Sequence, residues 1–230
     1  MGWSRFMAGF ERGVHEFLAQ TPPISLCAGI ASMDHREGLP KARDSTGLSG
    51  GLIVWIGRRC WPYPPALVSP GVGTAGDAGL LERSVYVDPP TREDRLWAMD
   101  VALRSPAAAV VVADARGLSM AGSRRLQLAA EAGGAVGLLA RRPDERGEIS
   151  AAATRWLVSP GPPEGADPAR PTWTLRLLRR KGLRPMTEDA RDWTVRLDDA
   201  TRLVSVDADA ADRPAAAARP GRWAHAAGSG

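Results

Sequence analysis

Residues 105–142 read SPAAAVVVADARGLSMAGSRRLQLAAEAGGAVGLLARR. Positions 107–113 are a continuous apolar run closed by Asp114, the pattern of a strand covered on both faces of a parallel sheet. A helix follows over 119–132. Ser119 is its N-cap, Met120, Leu126, Leu128, Ala129 and Ala132 fall at roughly helical spacing, and Gly133-Gly134 is its stop. Positions 135–140 form a second apolar strand, released into Arg141-Arg142-Pro143. Strand, helix and strand in so short a span make one right-handed βαβ unit, so the class is α/β.

Working outward, 52–56 (LIVWI) reads as another covered strand and 84–87 as a short one. Thr91 caps a helix with Glu93 and Asp94 in its first turn and Leu96, Trp97, Val101 and Leu103 on its apolar side. Residues 14–18 (VHEFL) alternate apolar and polar, a short strand, and Pro22 opens a helix running to about residue 33. Downstream, 154–158, 172–180 and 193–197 read as strands, with a small addition at 203–206. In 172–180, Trp173, Leu175 and Leu177 share one face. An α/β half therefore precedes an antiparallel half, in one mixed, mainly parallel sheet flanked by helices. Residues 1–206 are expected to form a single domain with surface loops at 36–51 and 69–80. Residues 207–230 lack periodicity and read as a disordered tail.

At 230 residues and 44% hydrophobic, the chain can bury one ordinary core. No apolar run approaches the roughly 20 residues of a membrane span. The first residues carry no secretory apolar region, so a cytoplasmic protein with no membrane partner is expected. Cys27 and Cys60 give neither a disulfide framework nor metal spacing, and His15, His35 and His225 lie far apart. No metal or cofactor site is expected from them. The net charge of +4 is compatible with nucleic acid without demanding it.

Several motifs are decoys. Gly71-Val72-Gly73-Thr74-Ala75-Gly76 matches G-x-G-x-x-G, but Pro70 precedes it and no crossover helix fits before the strand at Ser84. A phosphate-binding P-loop is missing, because neither Lys41 nor Lys181 follows a glycine. Asp114 stands where a Walker B aspartate would, at the end of an apolar strand. Ser119-Met120-Ala121-Gly122-Ser123 is a helix cap rather than a nucleophile elbow. The basic features are Arg58-Arg59, Arg124-Arg125, Arg141-Arg142 and the set Arg176, Arg179, Arg180, Lys181 and Arg184. Trp61, Tyr63, Trp156 and Trp173 interleave with them, a mixture that suits backbone phosphates and stacked bases; the plainer reading is a solvated basic face with the tryptophans in the core. The pairs at strand ends, Arg58-Arg59 and Arg141-Arg142, are the better candidates, since ligands gather at the carboxyl ends of parallel strands.

The stretches LWAMDVALRSPAAAVVVADARGLSMAGSRRLQLAAEAGGAVGLLARR, SAAATRWLVS and TWTLRLLRRKGLRP, with GLIVWIGRRCWPYPPAL and GVHEFLA before them, resemble the ImuA proteins of bacterial SOS mutagenesis. The resemblance spans roughly residues 12–200. It implies a RecA-like fold and an accessory role in damage-induced translesion synthesis, with a nucleoid-associated place in the cell. The implied partners are RecA and/or a Y-family polymerase homologue acting with an error-prone replicative-type polymerase. The basic and aromatic residues leave open the alternative of a single-stranded-DNA-binding protein acting directly in DNA repair, and a nucleotide-binding ATPase is the lesser alternative. In the RecA-like frame Asp114 is a vestigial Walker B position and residues 142–153 a DNA-facing loop. With the strand-end pairs, the candidate DNA contacts are Arg58, Arg59, Arg141, Arg142 and Arg146. Arg179 and Lys181 fall near a subunit-interface basic pair, and Trp61 and Tyr63 join them as interface candidates. The chain departs from the RecA-like pattern where the P-loop belongs, carrying Leu18-Ala19-Gln20-Thr21-Pro22-Pro23 instead, and Gly57-Arg58-Arg59 where a catalytic glutamate belongs. Those departures imply a degenerate ATPase that is not an enzyme and takes no cofactor.

Overall fold

The computed structural model describes residues 13–20, 51–62, 80–161, 172–182, 192–197 and 204–206. Nine strands make one sheet: β1 (Gly13–Leu18), β2 (Leu52–Ile56), β3 (Ser84–Val87), β4 (Ala108–Asp114), β5 (Val136–Arg141), β6 (Thr154–Pro160), β7 (Thr172–Arg180), β8 (Asp192–Leu197) and β9 (Val204–Val206). Their order is β3-β2-β4-β5-β1-β6-β7-β8-β9. The first six are parallel to their neighbours, and β6 to β9 add antiparallel to one another. The α/β class and the antiparallel C-terminal extension are as the sequence indicates. Residues 22–33, Tyr63, the G-x-G-x-x-G stretch and the tail from 207 lie outside the described residues, as do most of 36–51 and 69–80.

Strand alternation divides the core in two. Phe17, Ile53, Trp55, Val110, Val112, Leu138, Trp156, Leu175 and Leu177 are buried on one face of the sheet. Val14, Val54, Ile56, Val111, Ala113 and Leu139 are buried on the other, against helices α1 (Arg92–Arg104) and α2 (Met120–Gly133). Successive side chains on a strand point to opposite faces, so a strand covered on both sides must be apolar throughout, and β4 is. β1 departs from the half-covered strand that its alternation suggests. All six of its residues are buried, His15 and Glu16 included, because it lies between β5 and β6 at the middle of the sheet.

Both helices begin where their caps direct. The Thr91 hydroxyl accepts from the Asp94 amide at 3.1 Å, and the Ser119 hydroxyl accepts from the Gly122 amide at 3.1 Å. Gly134 closes α2 in the left-handed conformation at φ 78°. On α1 the buried residues are Met99, Asp100 and Leu103. Trp97 and Val101, expected on the apolar side, face outward instead, because the sheet-facing stripe runs through the positions beside them. Asp100 is tied to the end of its own helix by Arg104 at 3.2 Å and to α2 by Arg125 at 3.1 Å. Burial pushes its carboxyl upward, but the bonds from Arg125 and Arg104 outweigh that and hold it below its ordinary value.

The helices close on each other at Gly133, which the sequence marks only as part of a stop signal. A Cβ there would lie 2.1 Å from the Leu103 carbonyl oxygen and 2.8 Å from the Arg104 Cα, both backbone atoms unable to swing away. Gly133→Ala is therefore expected to lose about 1–3 kcal/mol, the usual cost of overpacking. Chemical denaturation checks it, with Gly147→Ala, which meets nothing within 4 Å, as the neutral control.

Candidate functional site

Two arrangements of charge occupy the carboxyl-end half of the parallel strands. The first is internal. Glu16 on β1 stands directly beside Arg155 on β6 in the strand register, and opposite Leu139 on β5. Arg141 lies two residues beyond Leu139 and therefore shares its face with Glu16. The three side chains meet inside the protein: Arg141 Nη1 reaches Glu16 Oε1 at 3.2 Å, and Arg155 Nε reaches Oε2 at 2.9 Å. Ser150 donates to Oε1 at 2.7 Å, and Ser123 on α2 donates to the same oxygen at 3.4 Å. The side chains of Glu16 and Arg141 have no exposed surface.

The remaining donors of both guanidiniums are spent on backbone and on a second glutamate. Arg141 donates to the Leu118 carbonyl at 3.1 Å and to Glu145 at 2.8 Å. Arg155 donates to the carbonyls of Glu148 at 2.7 Å, Glu145 at 3.1 Å and Arg146 at 3.3 Å. Glu145 in turn accepts from the Gly117 amide at 3.1 Å. Two carboxylates thus balance two guanidiniums, and the expected DNA-facing loop after β5 is a short 3-10 helix (Pro143–Gly147) pinned from beneath.

Arg141 is a correction to the sequence reading. Its strand-end position suggests a phosphate contact, yet its guanidinium is enclosed and fully committed, so it meets no external ligand. Trp156 follows the plainer of the two sequence readings: it is buried in the core, edge-on to Trp193 at 5.3 Å, with its indole N–H donating to Thr154. No base can stack on it. Glu16 and Arg155 were missed as a pair. The available signal was a charge inside each of two short apolar strands, which burial would force to find an opposite partner.

The second arrangement surrounds Asp114, at the end of β4. Its carboxylate receives Arg116 through Nε and Nη2 at 2.8–3.0 Å, and Arg95 of α1 at 3.2 Å. That bond holds the Arg116 guanidinium further above its ordinary value. Gly57, at φ 85°, ends β2 beside this group, and a Cβ on it would lie 3.3 Å from that of Asp114. Cys60 follows on a short 3-10 helix (Arg58–Cys60), where burial first, and then the Asp114 charge, pushes its thiol up to about 12. The cleft alongside, lined by Arg92, Arg95, Asp114, Arg116 and Ser119 among others, holds about 210 Å³. Pockets for small organic ligands start at about 300 Å³.

The other sequence candidates are dispersed. Arg58 is exposed, 2.6 Å from Asp88 and 6.0 Å above the Trp61 ring; Arg59 beside it is exposed as well. Trp61 is half-buried, edge-on to Tyr86 at 5.6 Å. Arg142 pairs with Asp144 at 3.0 Å in the open, and Arg146 is exposed. Arg179 donates to the Ser150 carbonyl, which joins it to the base of the internal cluster, and Lys181 lies 3.6 Å from Glu131. Among the described residues no helix is long and apolar enough to cross a membrane.

The molecule is thus an α/β protein with one mixed sheet, some of its strand-end charges paired inside and others exposed on the loops. No family model matches the chain. Two curated relatives do: Protein ImuA of Caulobacter vibrioides strain NA1000 / CB15N, and Protein ImuA of strain ATCC 19089 / CIP 103742 / CB 15. Each is 30% identical over 199 aligned residues, covering 78% of this chain and 75% of the relative. The chain belongs to the ImuA family.

Glu16→Gln leaves Arg141 and Arg155 facing each other inside the protein with half their compensation gone. The expected loss is about 3–5 kcal/mol, the cost of stranding buried charge. Thermal unfolding measures it, and an unchanged midpoint would show that the cluster carries no stability.

Proposed function

We propose that the chain is a non-catalytic accessory protein of damage-induced (SOS) mutagenesis, built on a RecA-like core that no longer hydrolyses ATP. It acts by binding RecA and/or a Y-family polymerase homologue that works with an error-prone replicative-type polymerase. Family membership supports the biological setting. A run of parallel strands with β1 between β5 and β6, extended by antiparallel strands, supports the RecA-like assignment. The observation that carries the non-catalytic reading is the state of Asp114. A Walker B aspartate must offer its carboxylate to hydrated magnesium, whereas here two guanidiniums take it. The sequence adds that no lysine follows a glycine anywhere in the chain.

Magnesium-ATP is accordingly expected to leave the melting temperature unchanged in differential scanning fluorimetry. The full chain is expected to co-sediment with RecA filaments or to be captured by the purified polymerase homologue. ATP-dependent stabilisation with turnover that disappears in Asp114→Asn, or failure to bind either protein, reverses the proposal.

A second reading, direct binding of single-stranded DNA, is favoured by the exposed arginines Arg58, Arg59, Arg142 and Arg146 on the loops that follow β2 and β5. Fluorescence titration over a range of salt tests it. If these four make phosphate contacts, each alanine substitution flattens the slope of log affinity against log salt by about 0.7. A salt-independent affinity removes the reading.

A further inference from the structure

Helix α1 carries an outward stripe that is not packed into either core cluster of the described residues. Trp97 is 62% exposed and Val101 47%, one turn apart on the same side of the helix. Glu93 and Asp94 flank them toward the N-terminus and Arg104 toward the C-terminus, all three exposed. Read along the axis, the stripe runs acid, tryptophan, valine, base. Single apolar residues on a surface are ordinary; a tryptophan this open, paired with a valine and bracketed by opposite charges, is a patch with a polarity.

That polarity makes the stripe complementary to itself. When two copies of the helix pack antiparallel about a two-fold axis level with residue 99, position 97 of one stands opposite position 101 of the other. Position 94 then stands opposite position 104. Trp97 meets Val101 twice in the middle, and Asp94 meets Arg104 at each end. From Asp94 to Arg104 is about 15 Å along the helix, so both ends are engaged at once. A parallel pairing would instead put acid on acid and base on base. We infer that the exposed face of α1 is a docking surface for a second copy of this chain, forming an isologous, antiparallel helix pair.

The internal bonds of the stripe are compatible with this. Thr91 donates to Asp94 at 2.7 Å, and Arg104 spends Nε and Nη2 on Asp100, so both charged side chains are held in place while half of the Arg104 side chain stays open to solvent. One helix pair buries less than the roughly 1,200 Å² of a stable standard interface. Association in the micromolar range is therefore expected, and it is independent of what the protein does in mutagenesis.

Sedimentation equilibrium of the full chain over a concentration series tests the inference. The expected result is a monomer–dimer equilibrium that Trp97→Asp weakens at least tenfold. Circular-dichroism melting of the variant should match the parent, because the side chain is mostly in solvent. A charge exchange makes the test specific. Arg104→Glu and the double variant Glu93→Lys/Asp94→Lys should each be monomeric alone, since each sets like charges against each other across the axis. Mixed together they should form a heterodimer, because both ends then pair acid with base. A chain that stays monomeric at every concentration, a dimer indifferent to Trp97→Asp, or a mixture that does not associate overturns the proposal.

Discussion

The structure turns on the contact between Glu16 and the two arginines that enclose it. A carboxylate on the central strand of a sheet has no solvent, and its charge would be prohibitive without compensation. Here compensation comes from each neighbouring strand, Arg141 on β5 and Arg155 on β6, with Ser123 of α2 and Ser150 filling the remaining positions. The cluster therefore ties β1 to both of its neighbours in the sheet through charge as well as through backbone pairing. It also reaches outward. The same arginines hold the backbone of residues 145–148 and the turn at Leu118, so two loops at the carboxyl end of the sheet share one internal anchor.

Asp114 repeats the pattern nearer the surface. A strand-end aspartate in an α/β sheet is where a ligand or a metal commonly sits, but Arg116 and Arg95 take its carboxylate and Cys60 is buried beside it, its thiol pushed up by that burial. Arginine suits this use, because its planar fork satisfies a carboxylate through two donors and is never deprotonated. In this member of the ImuA family much of the positive charge near the strand ends is structural. Among the described residues, Arg58 and Arg59 after β2 and Arg142 and Arg146 after β5 stay exposed.

Much of the fold was legible because it rests on local patterns. The apolar runs at 52–56, 107–113 and 135–140, the caps Thr91 and Ser119, and the Gly133-Gly134 stop each report one element from a few neighbouring residues, and the structure has each within a residue or so. The charged sites were legible only as a list of arginines. Arg141 and Arg142 are adjacent and chemically identical, yet one is enclosed between glutamates and the other stands in solvent. Trp97 misled for a related reason: helical spacing says which residues share a side, and only the neighbouring sheet says which side is inside.

By itself, the sequence determined the class of the fold, the elements and most of their boundaries. It also determined the lack of a lysine placed to hold phosphate. Those properties depend on backbone preference and on residues a few positions apart. The tertiary structure alone decided that β1 is central, that Glu16 meets Arg141 and Arg155 across 125 and 139 residues of chain, and that Gly133 lets two helix backbones touch. Long-range pairing assigns each charge to an interior partner or to solvent, and no local pattern carries that assignment.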